Sequence, residues 1–356
     1  MTSPLRILVA GGGFAAAELL LALRALGEER VDLELISSSR VLPLRPTATA
    51  DPTGGAVDLY DLGELAAEVG ARFRVDALEA VAPAAHRARL ASGGVATYDA
   101  LVLALGARPR AAVPGAVTYR DQRAAPQLAR LLATRPERVV FAVPAGVTWS
   151  LPIYELALRT VREPWARAVS IVTPERFPLE AFGRTVGAHV AGLLLDAGVR
   201  FLGDTPPQVP LGTDAVVAVP RLVGRRISGI PGDWNGFVPT GARGWVEGIP
   251  DVFAAGDMTS FPVKQGGLAA QQADRIAELL ALRAGADVEF DRARPILRTR
   301  LFGAPEPTYL HAELDDDGRP VAGVVSDEAP WWPGAKVFGR YLTPWMAMRD
   351  ALPVAA

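Results

Sequence analysis

The chain has 356 residues, a length that suits two domains, each with its own apolar core. Half of the residues are apolar and 37 Lys and Arg face 39 Asp and Glu for a net charge of −2, which argues against disorder and against a nucleic-acid partner. Cysteine is absent, so disulfides, thiolate metal sites and dithiol relays are excluded, and the three dispersed histidines, His86, His189 and His311, lack metal-ligand spacing.

No apolar run reaches the roughly 18 to 20 residues of a membrane span, since even 15–25 is interrupted by Glu18 and Arg24. The opening from Met1 through Pro4 runs straight into an apolar strand and leaves no room for a cleaved leader, so a cytoplasmic location is expected. Periodicity predicts that strand over 5–10, a turn over 11–13, an apolar-faced helix over 14–26 closed by Gly27, and a second strand over 31–36. A long loop over 37–56 follows, then a helix near 62–69 and a buried-looking run over 98–105 closed by Gly106. Pro109 and Pro114 mark a boundary, after which the plan repeats: strand 139–143, turn 144–149, helix 152–161, strand 168–172. Even the closing strands correspond, Tyr98, Asp99, Ala100, Leu101 and Val102 echoing Thr213, Asp214, Ala215, Val216 and Val217. A strand at 252–255 and a helix at 267–282 return to the style of the first unit. The expected fold is therefore α/β, with two Rossmann-like three-layer domains, the second inserted in the first, plus a short C-terminal domain. The first occupies 1–112 and 235–290, the second 113–234, and a Pro-rich aromatic segment closes the chain over 291–356.

The first turn, Gly11, Gly12, Gly13, Phe14, Ala15 and Ala16, fits a dinucleotide fingerprint between a strand and a helix. Gly11 makes the turn, Gly13 lets a pyrophosphate approach the backbone, and Ala16 allows close helix–strand packing. Two further segments join it: Ala104, Leu105 and Gly106 at the end of one strand, and Asp251, Val252, Phe253, Ala254, Ala255, Gly256 and Asp257 at another.

On these residues the chain resembles the FAD-dependent pyridine nucleotide-disulfide oxidoreductase superfamily, whose members carry two dinucleotide-binding domains. The style is nearest to sulfide:quinone oxidoreductases, flavocytochrome c sulfide dehydrogenases and type II NADH dehydrogenases. The resemblance implies FAD, with 104–106 touching it (Leu105 standing where the family has threonine) and Gly256 and Asp257 holding the ribityl hydroxyls. Asp257 otherwise reads as a helix cap or turn residue. The resemblance also implies that Gln265 and Gly266 begin a helix aimed at the flavin ring, where Lys264 adds a cation or is simply a solvated loop lysine. Ser37, Ser38, Ser39 and Arg40 replace the acidic ribose ligand, with Arg40 expected to reach phosphate or adenine. Arg45 and Pro46 belong to a loop running onto the ring, and Leu78 completes the expected cofactor contacts.

The second turn keeps only Gly146 of a fingerprint. Pro144 has no N–H and Trp149 is bulky where the helix start needs a small residue, which makes this unit NAD(P)-binding-like but degenerate. Glu175, just behind the second strand of this unit, remains available to a ribose hydroxyl. The lack of any cysteine excludes the thiol-based sulfide mechanism of the nearest groups. The tail, with Trp331, Trp332, Tyr341 and Trp345, reads as a lid, a homodimer contact, an anchor peripheral to a membrane, or a strap packed on its own domain. The expected partners are a small-molecule redox substrate and a quinone or protein electron acceptor; NAD(P)H through an atypical site, and a non-catalytic nucleotide-binding module, stay open.

Overall fold

The computed structural model describes residues 3–54, 57–206 and 212–350. The last two residues of the predicted 37–56 loop and the end of the 291–356 segment lie outside the described residues. In the first unit, strand Leu5–Ala10 is flanked by Val31–Ser37 and Ala100–Leu103, with Arg72–Val75 and Val252–Ala254 at the edges, all parallel. A parallel sheet covered on both faces needs successive apolar residues, and Ile7, Leu8, Val9 and Ala10 are all buried, as are residues 100–103. Helices Phe14–Gly27 and Gly266–Arg283 cover one face through Leu19, Leu20, Leu23, Ala273 and Ile276. An antiparallel meander, Leu78–Ala82, Arg87–Leu90 and Val95–Thr97, covers the other through Leu78, Val81, Ala88 and Leu90.

The second unit repeats the strand order, with Ala215–Ala218, Arg138–Ala142, Ala168–Val172 and Val199–Leu202 all parallel and Val117–Thr118 at the far edge. The repeat extends to an ion pair. Asp99 accepts the Arg6 backbone N–H at 2.9 Å and meets its guanidinium at 2.6 Å; Asp214 does the same to Arg138, at 2.9 Å in both contacts. Such half-exposed pairs contribute little stability, but they pin the start of each closing strand to the start of the first strand and so set register. Strand Val252–Ala254 follows the second unit in the chain yet completes the first sheet, which makes the second unit an insertion. The two crossings, Arg108–Arg110 and Arg221–Val223, pair antiparallel as a ribbon between the units.

The run over 98–105 is a strand only at Ala100–Leu103, because residues 104–106 leave the sheet toward the cleft. The closing helix of the first unit starts at Gly266, where the Gln265 side chain accepts the Leu268 N–H at 2.9 Å. The final segment holds a sheet that its composition concealed: Ile296–Leu301, Thr308–Leu314 and Pro320–Ser326, antiparallel throughout. Leu297 and Leu301, with Leu310, Ala312 and Leu314, alternate inward and join the core of the second unit. The chain then crosses back, and helix Leu342–Asp350 packs Leu342, Trp345 and Met346 into the core of the first unit. The aromatic tail is thus a strap packed on its own chain, with Trp331 and Trp345 buried and Trp332 exposed.

That strap is anchored by a carboxyl pair. Glu18, fully buried in the first helix, accepts the N–H groups of Tyr341 and Leu342 at 2.8 and 2.6 Å. Burial raises the Glu18 pKa, while Asp274 on the neighbouring helix is pushed up to about 9 by burial and by the Glu18 carboxylate. Asp274 Oδ1 has no hydrogen-bond partner if both groups are ionised, so one shared proton satisfies the pair. The folded chain keeps a proton that the unfolded chain releases above about pH 4, and stability therefore falls as pH rises from there to about 9. Asp274→Asn, which keeps a donor without titrating, is expected to flatten that slope and to melt higher than the parent above about pH 8. Thermal scans across this range check it, and an unchanged slope removes the proton from the pair.

Candidate functional site

The loops that follow the strands of the first sheet gather around a cavity of about 560 Å³. Gly12, Gly13, Phe14 and Ala15 line one wall, Ser37, Ser38 and Ser39 a second, and Ala104, Leu105, Gly106, Gly256, Asp257 and Gly266 a third. The glycines of the first turn divide the work. A Cβ on Gly11 (φ +136°) would lie 2.1 Å from the Ala104 carbonyl oxygen, and one on Gly12 would lie 2.1 Å from Ser37 Oγ. A Cβ on Gly13 meets nothing within 4 Å, because that position faces the cavity. Gly11 and the fully buried Ala16 act by packing and line no cavity wall. The helix starting at Phe14 and the one starting at Gly266 both open on the cavity. They converge because small residues meet there, a Cβ on Gly256 lying 3.3 Å from Ala269 and 3.6 Å from Ala15.

Asp257 sits at this convergence and its carboxylate makes no hydrogen bond among the described residues. Burial raises its pKa, opposed by the nearby charges of Lys264, Arg120 and Arg45. Lys264 is not a solvated lysine. Its ammonium donates to the carbonyls of Thr259 and Phe261, the latter at 2.7 Å, and lies 4.0 Å over the Phe237 ring. Burial lowers its pKa to about 8 against the pull of Asp257 and Asp233. Gln265 is taken up by its cap and by the Arg298 carbonyl at 3.1 Å.

Two expected contacts fall elsewhere. Arg40 pairs with Asp61, the N-cap of helix Leu62–Glu68, at 2.7 Å and does not line this cavity, because the nearer carboxylate claims the guanidinium. Leu78 is buried in the meander core, which an apolar side chain favours over a polar cleft. Three arginines that sequence reasoning passed over, Arg120, Arg123 and Arg225, line the cavity beside Arg45. Asp121 is their carboxylate neighbour, 3.5 Å from Arg45 and 4.0 Å from Arg120, and the Nε atoms of Arg45 and Arg225 are buried without a hydrogen-bond partner. The signal was available: arginines flank both predicted domain crossings.

A second cavity of about 530 Å³ adjoins the first, sharing Arg45, Pro46, Arg120, Asp257 and Gly266. Its walls include Tyr119, Trp149, Pro220, Leu222, Phe237 and Pro262. Glu155 and Lys336 lie at its edge as a buried ion pair, and Glu155 also accepts Thr49 Oγ1 at 2.6 Å and the Phe302 N–H at 2.8 Å. Trp149 serves both core and cavity, tilted against Phe182 at 5.9 Å.

No family model and no curated protein matches the chain. Solved structures do. Sulfide:quinone oxidoreductase from the hyperthermophilic bacterium Aquifex aeolicus superposes with a TM-score of 0.78 at 17% identity, covering 90% of this chain and 86% of that one. NADH:rubredoxin oxidoreductase from Clostridium acetobutylicum reaches 0.61 at 18% identity, covering 91% and 92%. A ferredoxin reductase from Rhodopseudomonas palustris reaches 0.63 at 18%, covering 86% and 82%. The chain shares the fold of these solved oxidoreductases.

Glu175, which sequence reasoning left available to a ribose, borders a cavity of about 820 Å³ beside Val147 and Thr148, but it is also held by groups of its own unit. Its carboxylate accepts the hydroxyls of Ser150, Tyr154 and Thr173 at 2.8, 2.6 and 2.9 Å, and the Glu180 N–H at 3.2 Å. Burial raises its pKa and these donors hold it down. The group is a structural hub. Glu175→Ala should cost roughly 2 to 4 kcal/mol in urea unfolding by leaving several partly buried donors unmatched. A loss below about 0.5 kcal/mol would return Glu175 to the pool of ligand contacts.

Proposed function

We propose that the protein is an FAD-dependent oxidoreductase that moves two electrons from a small-molecule donor to a quinone-like acceptor. The observation that carries this reading is the convergence, on one cleft, of the first glycine turn, two helix N-termini, Asp257 and four arginines. The polar atoms there suit a dinucleotide. Arg45 Nε and Arg225 Nε are donors without acceptors, Asp257 is an acceptor without donors, and Gly13 leaves its face open to a pyrophosphate. Bound FAD supplies the electron-transfer chemistry. The helix start at Gly266 and the Lys264 cation favour negative charge on the ring, and Asp257 accepts from the ribityl hydroxyls. The apolar walls of the adjoining cavity hold the substrate and exclude water.

A second reading, electron exchange with a protein partner, is favoured by Arg108, Arg110 and Arg226, exposed on or beside the ribbon between the units with no ion pair among the described residues. Rapid reoxidation of the reduced protein by small quinones alone would decide against it. No helix among the described residues is long and apolar enough to cross a membrane.

The purified protein is expected to be yellow and to release FAD on denaturation; a colourless protein that takes up no FAD overturns the reading. Gly13→Val should abolish retention by filling the space of the pyrophosphate. Asp257→Ala should weaken FAD binding by about 1.5 to 3 kcal/mol without unfolding the chain, measured by flavin fluorescence titration.

NADH and NADPH are expected to reduce the flavin slowly and without saturation in anaerobic stopped-flow. Pro144 offers no amide, Trp149 crowds the helix start, and Glu175 is consumed by four donors. Fast, saturable bleaching would move the nicotinamide-dependent reading to first place.

A further inference from the structure

We propose that the acceptor is a planar quinone bearing an anionic group, which Arg221 recognises at the rim of the 530 Å³ cavity while Trp234 offers its ring for stacking. This rests on the flavoenzyme reading above and specifies its substrate class. Arg221 opens the short strand Arg221–Val223, placed where the second unit's chain returns to the first, and lines the cavity with Trp234 and Asn235.

The other cations of this cavity are already engaged. Lys336 is paired with Glu155, Lys264 donates to two carbonyls and faces Asp257, and Arg45 and Arg120 also line the first cavity, where the reading above assigns them to the dinucleotide. Arg221 has no carboxylate within ion-pair distance among the described residues. Its guanidinium makes one long contact, 3.4 Å to the neutral Asn235 Oδ1. Asp233, the acid on the same rim, uses Oδ1 to accept the Phe237 N–H at 2.8 Å. The cavity therefore presents one half-buried guanidinium with no ion-pair partner among the described residues, whose forked donors match a carboxylate or sulfonate better than the single carbonyl oxygen of a neutral quinone.

The walls specify the rest of the ligand. Tyr119, Pro220 and Leu222 are apolar and bulky, and Trp234 stands 79% exposed on the rim. A small aliphatic acid would leave those surfaces uncovered; a fused ring would cover them. The reaction balances with no further component. With FAD bound and reduced to FADH⁻, hydride transfer to the quinone and uptake of one proton from solvent would give FAD and a hydroquinone whose anionic group is unchanged.

The test uses the purified flavoprotein and two probes that share a ring system, 1,4-naphthoquinone-2-sulfonate and 2-methyl-1,4-naphthoquinone. Calorimetric titration of the oxidised protein gives their affinities, and stopped-flow after anaerobic photoreduction gives their reoxidation rates. The sulfonate is expected to bind about tenfold tighter at low salt, with the advantage shrinking as salt rises. Arg221→Gln should collapse the ratio between the probes, and Arg221→Lys should keep part of it. Because the readout is a ratio within one variant, a general loss of stability does not mimic it. Equal affinities in the parent, or a ratio that survives in Arg221→Gln, overturns the inference and leaves the quinone reading standing. Failure of both probes to bind and to reoxidise the reduced protein removes the quinone reading and the inference with it.

Discussion

The arrangement of the two units depends on a buried ion pair between Lys336 and Glu155, respectively 8% and 2% exposed. Burying two charges costs several kcal/mol for each ion, and attraction offsets this only when the remaining polar atoms are also satisfied. Here they are. Glu155 takes hydrogen bonds from Thr49 of the first unit and Phe302 of the last segment, while Lys336 also donates to the Arg300 carbonyl and lies 3.8 Å over the Phe302 ring. Glu155 itself belongs to helix Leu151–Thr160 of the second unit. One carboxylate therefore joins all three parts of the chain, and any other relative placement would strand a charge away from water. The pair contributes specificity of arrangement more than stability, and it lines the cavity whose shape that arrangement defines.

The strap that follows Lys336 extends the same logic to the helix start behind the cleft. A Cβ on Gly266 would lie 2.9 Å from Val337, and one on Gly267 would lie 3.1 Å from the Phe338 carbonyl oxygen. Gly339 approaches Glu18, whose carboxylate then holds the N–H groups of Tyr341 and Leu342. The aromatic tail thus acts on the site by fixing the helix that starts at Gly266, and the shared proton of Glu18 and Asp274 makes that fixation dependent on pH.

Electrostatics around the cleft divide by position. Arginines face the first cavity with Asp121 as their ion-pair neighbour, while Asp257 meets the charges of Lys264, Arg120 and Arg45 where the two cavities join. The second unit has taken another course. Thr148 of its degenerate turn donates to the Pro262 carbonyl at 2.6 Å, and Gly318, at the tip of the C-terminal hairpin, packs on the same proline. The turn therefore helps to join the units, while Val147 and Thr148 also line, with Glu175 and Arg176, a cavity of about 820 Å³.

The α/β class, the repeat and the first glycine turn were legible from local patterns, because strand burial, helix periodicity and close backbone approach each constrain neighbouring residue types. The echo of Asp99 in Asp214 even carried the ion pair that sets register in both sheets. The C-terminal sheet was legible too, in the alternation of Leu297, Thr299 and Leu301 and of Leu310, Ala312 and Leu314, but Pro and Trp content masked it. Other features were not readable at any distance along the chain. Arg40 and Arg45 look alike in sequence, yet Asp61 captures one and the cleft holds the other; Glu175 looks free until Ser150, Tyr154 and Thr173 close around it. Which charge pairs with which is decided by the approach of segments far apart in sequence, since electrostatic and hydrogen-bond energies depend on distances of a few ångströms that only the packed chain defines.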